Sequence, residues 1–213
     1  MGIIGVVTAL TLPNLNSSTG DKEKVAKVKK IYQNLNDAYG RATAVYGPID
    51  TWCSTTDDCS KRIYDRFTEF LKVTKECSRS YSSNTVCMND IDYAYQAILS
   101  DGSAIGVEYI NGNFAEFVVD IDGPNKGQQN GADIFVFKID NDSNYNLEPY
   151  RKSNMSEYVN TLKGNCSATN SWGSCFEASG WIIDYDNMAY LKLNSSGKCP
   201  NGSTPTDDNP RCK

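Results

Sequence analysis

Twenty residues pass before the first charged side chain, Asp21. What precedes it includes Met1-Gly-Ile-Ile-Gly-Val-Val-Thr-Ala-Leu-Thr-Leu-Pro-Asn-Leu15. A bilayer crossing needs about 20 apolar residues, so this run is too short to span alone. It also lacks the basic start and small-residue cleavage site of a secretory signal. The expectation is the second half of a membrane helix whose first half is missing. Pro13 would kink such a helix rather than end it. The helical pattern then continues into polar sequence. Val25, Val28, Tyr32, Leu35, Tyr39, Ala42 and Tyr46 recur at steps of three and four, widened by Ile31, Ala38 and Val45. Lysines, Asn34, Asn36, Asp37 and Arg41 fill the other face, and Gly47-Pro48 stops the helix. A stripe of this kind must be buried on one side, and the apolar segment before it must find lipid or copies of itself.

Past the helix the period changes from about 3.6 to two. Tyr93–Ser100, Ala104–Ile110 and Phe114–Asp120 are separated by Asp101-Gly102 and Asn111-Gly112, the strongest short hairpin signals. They predict a three-stranded antiparallel meander. A loop from Asp120 to Asp133 leads to a fourth strand, Ile134–Ile139. Met155–Lys163 reads as a short helix capped by Asn154 and closed by Gly164. Trp181–Ile183 and Ala189–Leu193 read as a last hairpin. Between the long helix and the meander, Ile63, Phe67, Phe70, Leu71 and Thr74 fit one helix face, with Asp57 or Asp58 favouring its N-terminal end.

The chain of 213 residues contains eight cysteines and no histidine. The cysteines fall into neighbouring couples around polar, turn-rich stretches, and no CxxC occurs. An even count with that spacing points to disulfides and an oxidising compartment rather than zinc. Eight cysteines allow 105 pairings. The sequential set is expected: Cys53–Cys59, Cys77–Cys87, Cys166–Cys175 and Cys199–Cys212. Residues 53–92 then form a stapled insert and 164–213 a C-terminal disulfide region, with 194–213 tied down only by its last bridge. The formal charge of −5 makes nucleic acid a poor partner. The fold class expected is α+β: a long N-terminal helix on an antiparallel sheet, stapled by disulfides. Residues 1–20 form the apolar helix stub and 21–213 one head.

Gly2–Leu15, followed by the amphipathic helix and then a sheet, resembles the N-terminal segment of type IV pilins and type II secretion pseudopilins. Val119–Phe135 is similar to the loop after the sheet in pseudopilin-like proteins. Trp181-Ile-Ile, Asn187-Met188 and Tyr190-Leu191-Lys192 resemble the tail of disulfide-rich pilin-like proteins. The family's leader, processing site and near-terminal glutamate have no counterpart in this sequence, so the resemblance implies an N-terminally truncated chain. It also implies a subunit held in the bacterial inner membrane with its head in the periplasm, then extruded into an extracellular filament. The partners implied are other copies of itself and related pilins, packed through the N-terminal helix.

Asp120, Asp122, Asn125 and Asp133 place hard oxygen ligands around glycines in one loop, the donor set of calcium. The spacing is not that of an EF-hand. Major pseudopilins hold a calcium in the corresponding loop, and the resemblance implies the same here. The alternative is an ordinary loop held by Asx-turns. Asp140-Asn-Asp142-Ser-Asn144 reads as a solvated turn. No GxSxG, GxGxxG, P-loop or HExxH occurs, and the commonest general base is absent. The chain is expected to be a structural subunit and not an enzyme. The alternative function is a minor-pilin adhesin, motivated by the insert at 53–92 and an aromatic-rich surface. A carboxylate hydrolase is a third, weaker possibility.

Overall fold

A computed structural model describes residues 3–53, 56–78, 87–88, 91, 93, 95–110, 114–124, 131–166 and 175–212, with the backbone alone at 3–19, 56–58, 78 and 114. The first element, α1 (Ile3–Tyr46), is one continuous helix of 44 residues. At 1.5 Å per residue it is about 66 Å long. Its side chains enter the core from Val25 onward: Val25, Val28, Ile31, Leu35, Ala38 and Ala42 are buried. Val45, expected to widen the stripe, is exposed instead, while its neighbour Tyr46 packs against the core. Gly47 ends α1 in the left-handed region, φ 81°, and returns its N–H to the Thr43 carbonyl at 3.0 Å.

The helix lies on a six-stranded antiparallel sheet with strands in chain order. These are β1 (Val73–Ser78), β2 (Tyr95–Leu99), β3 (Ala104–Ile110), β4 (Phe114–Asp120), β5 (Ile134–Asp140) and β6 (Leu147–Pro149). Alternation decides which side chains meet α1. Ala97, Ile105, Val107, Phe117, Val119, Phe135 and Phe137 join the helix stripe in one core cluster. Tyr32 stacks on Phe137 with ring centres 5.3 Å apart and donates to the Leu147 carbonyl, while Tyr39 donates to the Tyr145 carbonyl. The three- and four-residue steps on α1 thus set both apolar burial and the polar ties to the β5–β6 turn.

The opposite face of the sheet is covered too. Met88, Ile91 and Tyr93 pack with Ala104, Val118, Ile134 and Val136 in a second cluster. Met88 seats over Gly106, where an added Cβ would stand 2.9 Å from the methionine methyl. One buried side chain, Gln96, pins this cover. Its Oε1 accepts from the amides of Cys87 and Met88, and its Nε2 donates to the carbonyls of Ile91 and Tyr93. A buried amide with these four bonds is fully satisfied and fixes the loop to strand β2.

The helix α2 (Thr56–Thr68) packs against α1, β2 and β3. Phe67 stacks on Tyr39 and lies 4.4 Å from the Phe117 ring centre. The helical reading that reached Thr74 needs correction: α2 stops at Thr68, and Val73–Ser78 is the edge strand β1. Asp57 and Asp58 fall among the residues described by backbone alone. The C-terminal hairpin is also corrected. Trp181–Ile183 belongs to α4 (Ala178–Tyr185), and Ala189–Lys192 is a 3-10 turn. Helix α3 (Met155–Leu162) is capped as expected, with the Asn154 side chain accepting from the Glu157 amide. The four disulfides have the sequential pairing, with Cα–Cα distances of 5.2–5.8 Å, inside the usual range. The tail is held by more than its bridge: Asp207 Oδ1 accepts from the Met155 amide at 2.9 Å and from the Tyr185 hydroxyl at 2.8 Å.

Candidate functional site: a pair of carboxylates at the end of strand β4

Strand β4 ends at Asp120, paired across the ladder with Ile134. Being on the face away from α1, Asp120 is buried, with 1% of its surface exposed. The chain then turns sharply. Asp120 Oδ1 accepts from the amides of Asp122 at 3.1 Å and Gly123 at 2.8 Å, an Asx-turn. Gly123 is required here: its φ is 84°, and an added Cβ would fall 2.3 Å from the Gly102 carbonyl oxygen. The loop returns at Gly131, where a Cβ would fall 2.2 Å from Cys175 Sγ. Ile121 donates to the Asp133 carbonyl at 2.8 Å, closing the loop base.

Each carboxylate has one buried oxygen without a partner. Asp120 Oδ2 and Asp122 Oδ1 make no hydrogen bond. Burial first, then a proton-sharing hydrogen bond with the Asp122 carboxylate and its charge, push the Asp120 carboxyl up to about 6 against the lowering effect of the two amides. Orphaned buried acceptors of this kind are rare in folded chains. A hard divalent cation would satisfy both at once and offset their repulsion. The Asp133 residue is 4% exposed at the start of β5. Among the described residues no three His, Cys, Asp or Glu side chains converge as a metal group. Asn125 lies outside the described residues. Asp120 and Asp122 thus supply two hard carboxylate oxygens of the kind that calcium takes.

A second polar centre on the same sheet face was not foreseen from sequence. Glu116, 5% exposed, accepts from the hydroxyls of Tyr93 and Tyr150. Burial, then the proximity and hydrogen bond of Glu116, raise both phenols far above their ordinary value. Its cross-strand neighbours are Glu108 and Lys138. Burial and the Glu116 charge raise the Glu108 carboxyl. With both oxygens occupied, Glu116 acts as a bolt between the sheet and the segments that hold Tyr93 and Tyr150. Alternation put it on the non-helix face, where solvent was the default expectation, so nothing in the sequence singled it out.

Several of the aromatic rings lie in the core, while others, among them Tyr95, Tyr109 and Tyr145, are only partly buried. Trp52, Trp181, Tyr158 and Tyr190 are fully buried, and Trp181 makes edge contacts with Tyr158, Tyr185 and Tyr190. Among the described residues Val45 is the exposed large hydrophobic side chain. No described helix is long and apolar enough to cross a membrane. No protein-family model, no characterised protein and no solved structure matches this chain.

Proposed function

We propose that this protein is a structural subunit of a pilin-like filament, of the type IV pilus or type II secretion kind. The observation that supports it most is the continuity of α1. One helix joins the apolar sequence from Ile3 to Leu15 to the buried stripe from Val25 to Ala42. An apolar rod rigidly joined to a folded head is suited to leave lipid only for a bundle of like rods. The head in this reading is a disulfide-stapled body in the periplasm before assembly and on the filament surface afterwards. The four bridges suit it to an oxidising compartment.

Calcium belongs to the same reading. Asp120 Oδ2 and Asp122 Oδ1 would hold it, with Asn125 and loop carbonyls completing the shell. The bound ion would neutralise two like charges and tie the β4–β5 loop to the sheet end. The filament reading is tested by flotation of the full chain with phosphatidylcholine vesicles. The wild type should float, and a Val6→Asp/Leu10→Asp variant should not, since an aspartate in the apolar segment costs up to about 3 kcal/mol in the membrane. A wild-type chain left in the soluble fraction would end the proposal.

A further inference from the structure

A groove of about 420 Å³ runs beside α1 where the head begins, within the roughly 300–1,000 Å³ of small-molecule sites. Its floor is apolar: Val25 and Ala26 from α1, Met188 and Ala189 from the C-terminal turn. Its far wall is the last disulfide, where Cys212 Sγ approaches the Ala189 carbonyl at 3.7 Å. Four cations border it, Lys22, Lys29, Lys192 and Arg211, against two carboxylates, Asp21 and Asp186. Lys29 is engaged with Asp186 at 2.7 Å, and Asp186 is itself the left-handed C-cap of α4, φ 56°. Among the described residues Lys22, Lys192 and Arg211 enter no salt bridge. A chain with a net charge of −5 thus gathers free positive charge at one mouth.

The position of that mouth says which anion it faces. Along the unbroken helix Lys22 is seven residues past Leu15, about 10 Å of rise. The polar layer of a bilayer is about 5–8 Å thick on each side, and lysine and arginine stems reach toward it. If residues 3–15 lie in lipid, as proposed above, Lys22 at the membrane end of the groove stands just beyond the polar layer, within reach of its stem, and Val25, Ala26 and Lys29 lie farther out. Entered from the membrane side, the groove meets the headgroup of an anionic glycerophospholipid: its phosphate lies against the rim cations and its acyl chains stay in the bilayer. We propose that this groove seats the headgroup of an anionic phospholipid, holding the head against the membrane until the subunit is extruded. The inference rests on the filament reading. Extraction of the rod would pull the rim cations off the surface, so headgroup release and extrusion are one event.

The test uses the full chain in a non-ionic detergent, titrated with phosphatidylglycerol or phosphatidylcholine and read by native mass spectrometry. One phosphatidylglycerol should be retained about tenfold more tightly than phosphatidylcholine, given the surface energy of a few cationic side chains. Lys192→Glu/Arg211→Glu, remote from the apolar segment, should erase that preference while leaving the phosphatidylcholine background unchanged. The milder Lys192→Gln/Arg211→Gln pair should give an intermediate preference. Equal retention of the two lipids, or a preference that survives charge reversal, would overturn the proposal. So would dimerisation lost on charge reversal without lipid selectivity, which would assign the groove to an acidic surface of a second copy. Because flotation on phosphatidylcholine reports the apolar rod alone, a chain that floats yet shows no lipid preference would sink this proposal and spare the filament reading.

Discussion

Asp120 and Asp140 close opposite ends of the same strand pair. Asp120 ends β4 opposite Ile134, and Asp140 ends β5 opposite Phe114. Both face away from α1, and both are buried, at 1% and 6% exposure. Their surroundings differ completely. At Asp140 burial alone would raise the carboxyl, but the Lys138 ammonium and the Ser143 amide and hydroxyl outweigh it and hold it below its ordinary value. At Asp120 no cation is supplied among the described residues, a second carboxylate stands beside it, and one oxygen is orphaned. Equal burial therefore gives a structural anchor at one end and an unmet charge at the other. A chain that can build the first arrangement at the other end of the same strand pair has no packing need for the second. The difference supports a ligand at Asp120 and a purely structural part for Asp140.

The comparison can be broken most forcefully at the anchored end. Asp140→Ala should cost about 2 kcal/mol in urea unfolding, from lost charge-assisted bonds and an abandoned Lys138. An unchanged midpoint would mean that the corner is not an anchor. Next in size is calcium itself. At ten times its dissociation constant it should stabilise the wild type by about 1.4 kcal/mol over chelator. Asp120→Asn and Asp122→Asn should each remove that gain, and a gain kept in both variants would place the ion elsewhere. Smaller, and opposite in sign to the Asp140 loss, is Asp120→Asn in chelator at pH 7.5. Relief of the buried charge should add about 1 kcal/mol after solvent screening. A loss of stability would show that the charge is already compensated.

The pH profile sharpens the contrast further. Folding raises the Asp120 carboxyl from 3.8 to about 6, so the folded chain binds this proton more tightly than the unfolded one. Ion-free stability should therefore rise as pH falls through about 6 and level off near 4. Asp140 acts in reverse. Its folded value is depressed, so its contribution is complete above the unfolded value and fades as pH falls through the folded one. Thermal melts in chelator should show the acid-side gain, and Asp120→Asn should flatten it. A wild-type profile that already falls between pH 7 and 5 would contradict the assignment at Asp120.

The parts of this molecule that sequence reveals are those with local causes. Asp101-Gly102 announces the β2–β3 turn, where Gly102 has φ 87°, and β3 and β4 have the limits their alternation predicts. The α1 stripe and the cysteine couples are equally local. The edge strands are not: Thr74, Lys75 and Glu76 of β1 are exposed and polar, and β6 is three residues ending in Pro149. Such edges avoid the apolar pattern that betrays a strand. Trp181-Ile-Ile is too short and too apolar for its period to separate helix from strand. What decides for a helix is distant packing, with Gly180 admitting the Tyr150 carbonyl 2.1 Å from where a Cβ would stand. At the candidate site, Asp120 and Asp122 were legible as oxygen donors. The Glu116 bolt depends on which face of the sheet Met88, Ile91 and Tyr93 cover, and the orphaned atoms on how the chain folds back past Gly102 at Gly123; no local residue encodes either.

The central claim is that residues 3–15 of one subunit pack against those of another. A photoreactive amino acid at Val6 or Leu10 of the full chain, irradiated in membranes during expression, reads that contact directly. The account predicts a ladder of covalent oligomers from both positions and none from the same probe at Lys75 on the head edge. Crosslinks confined to the chain's own head, or monomer alone from both positions, would contradict it.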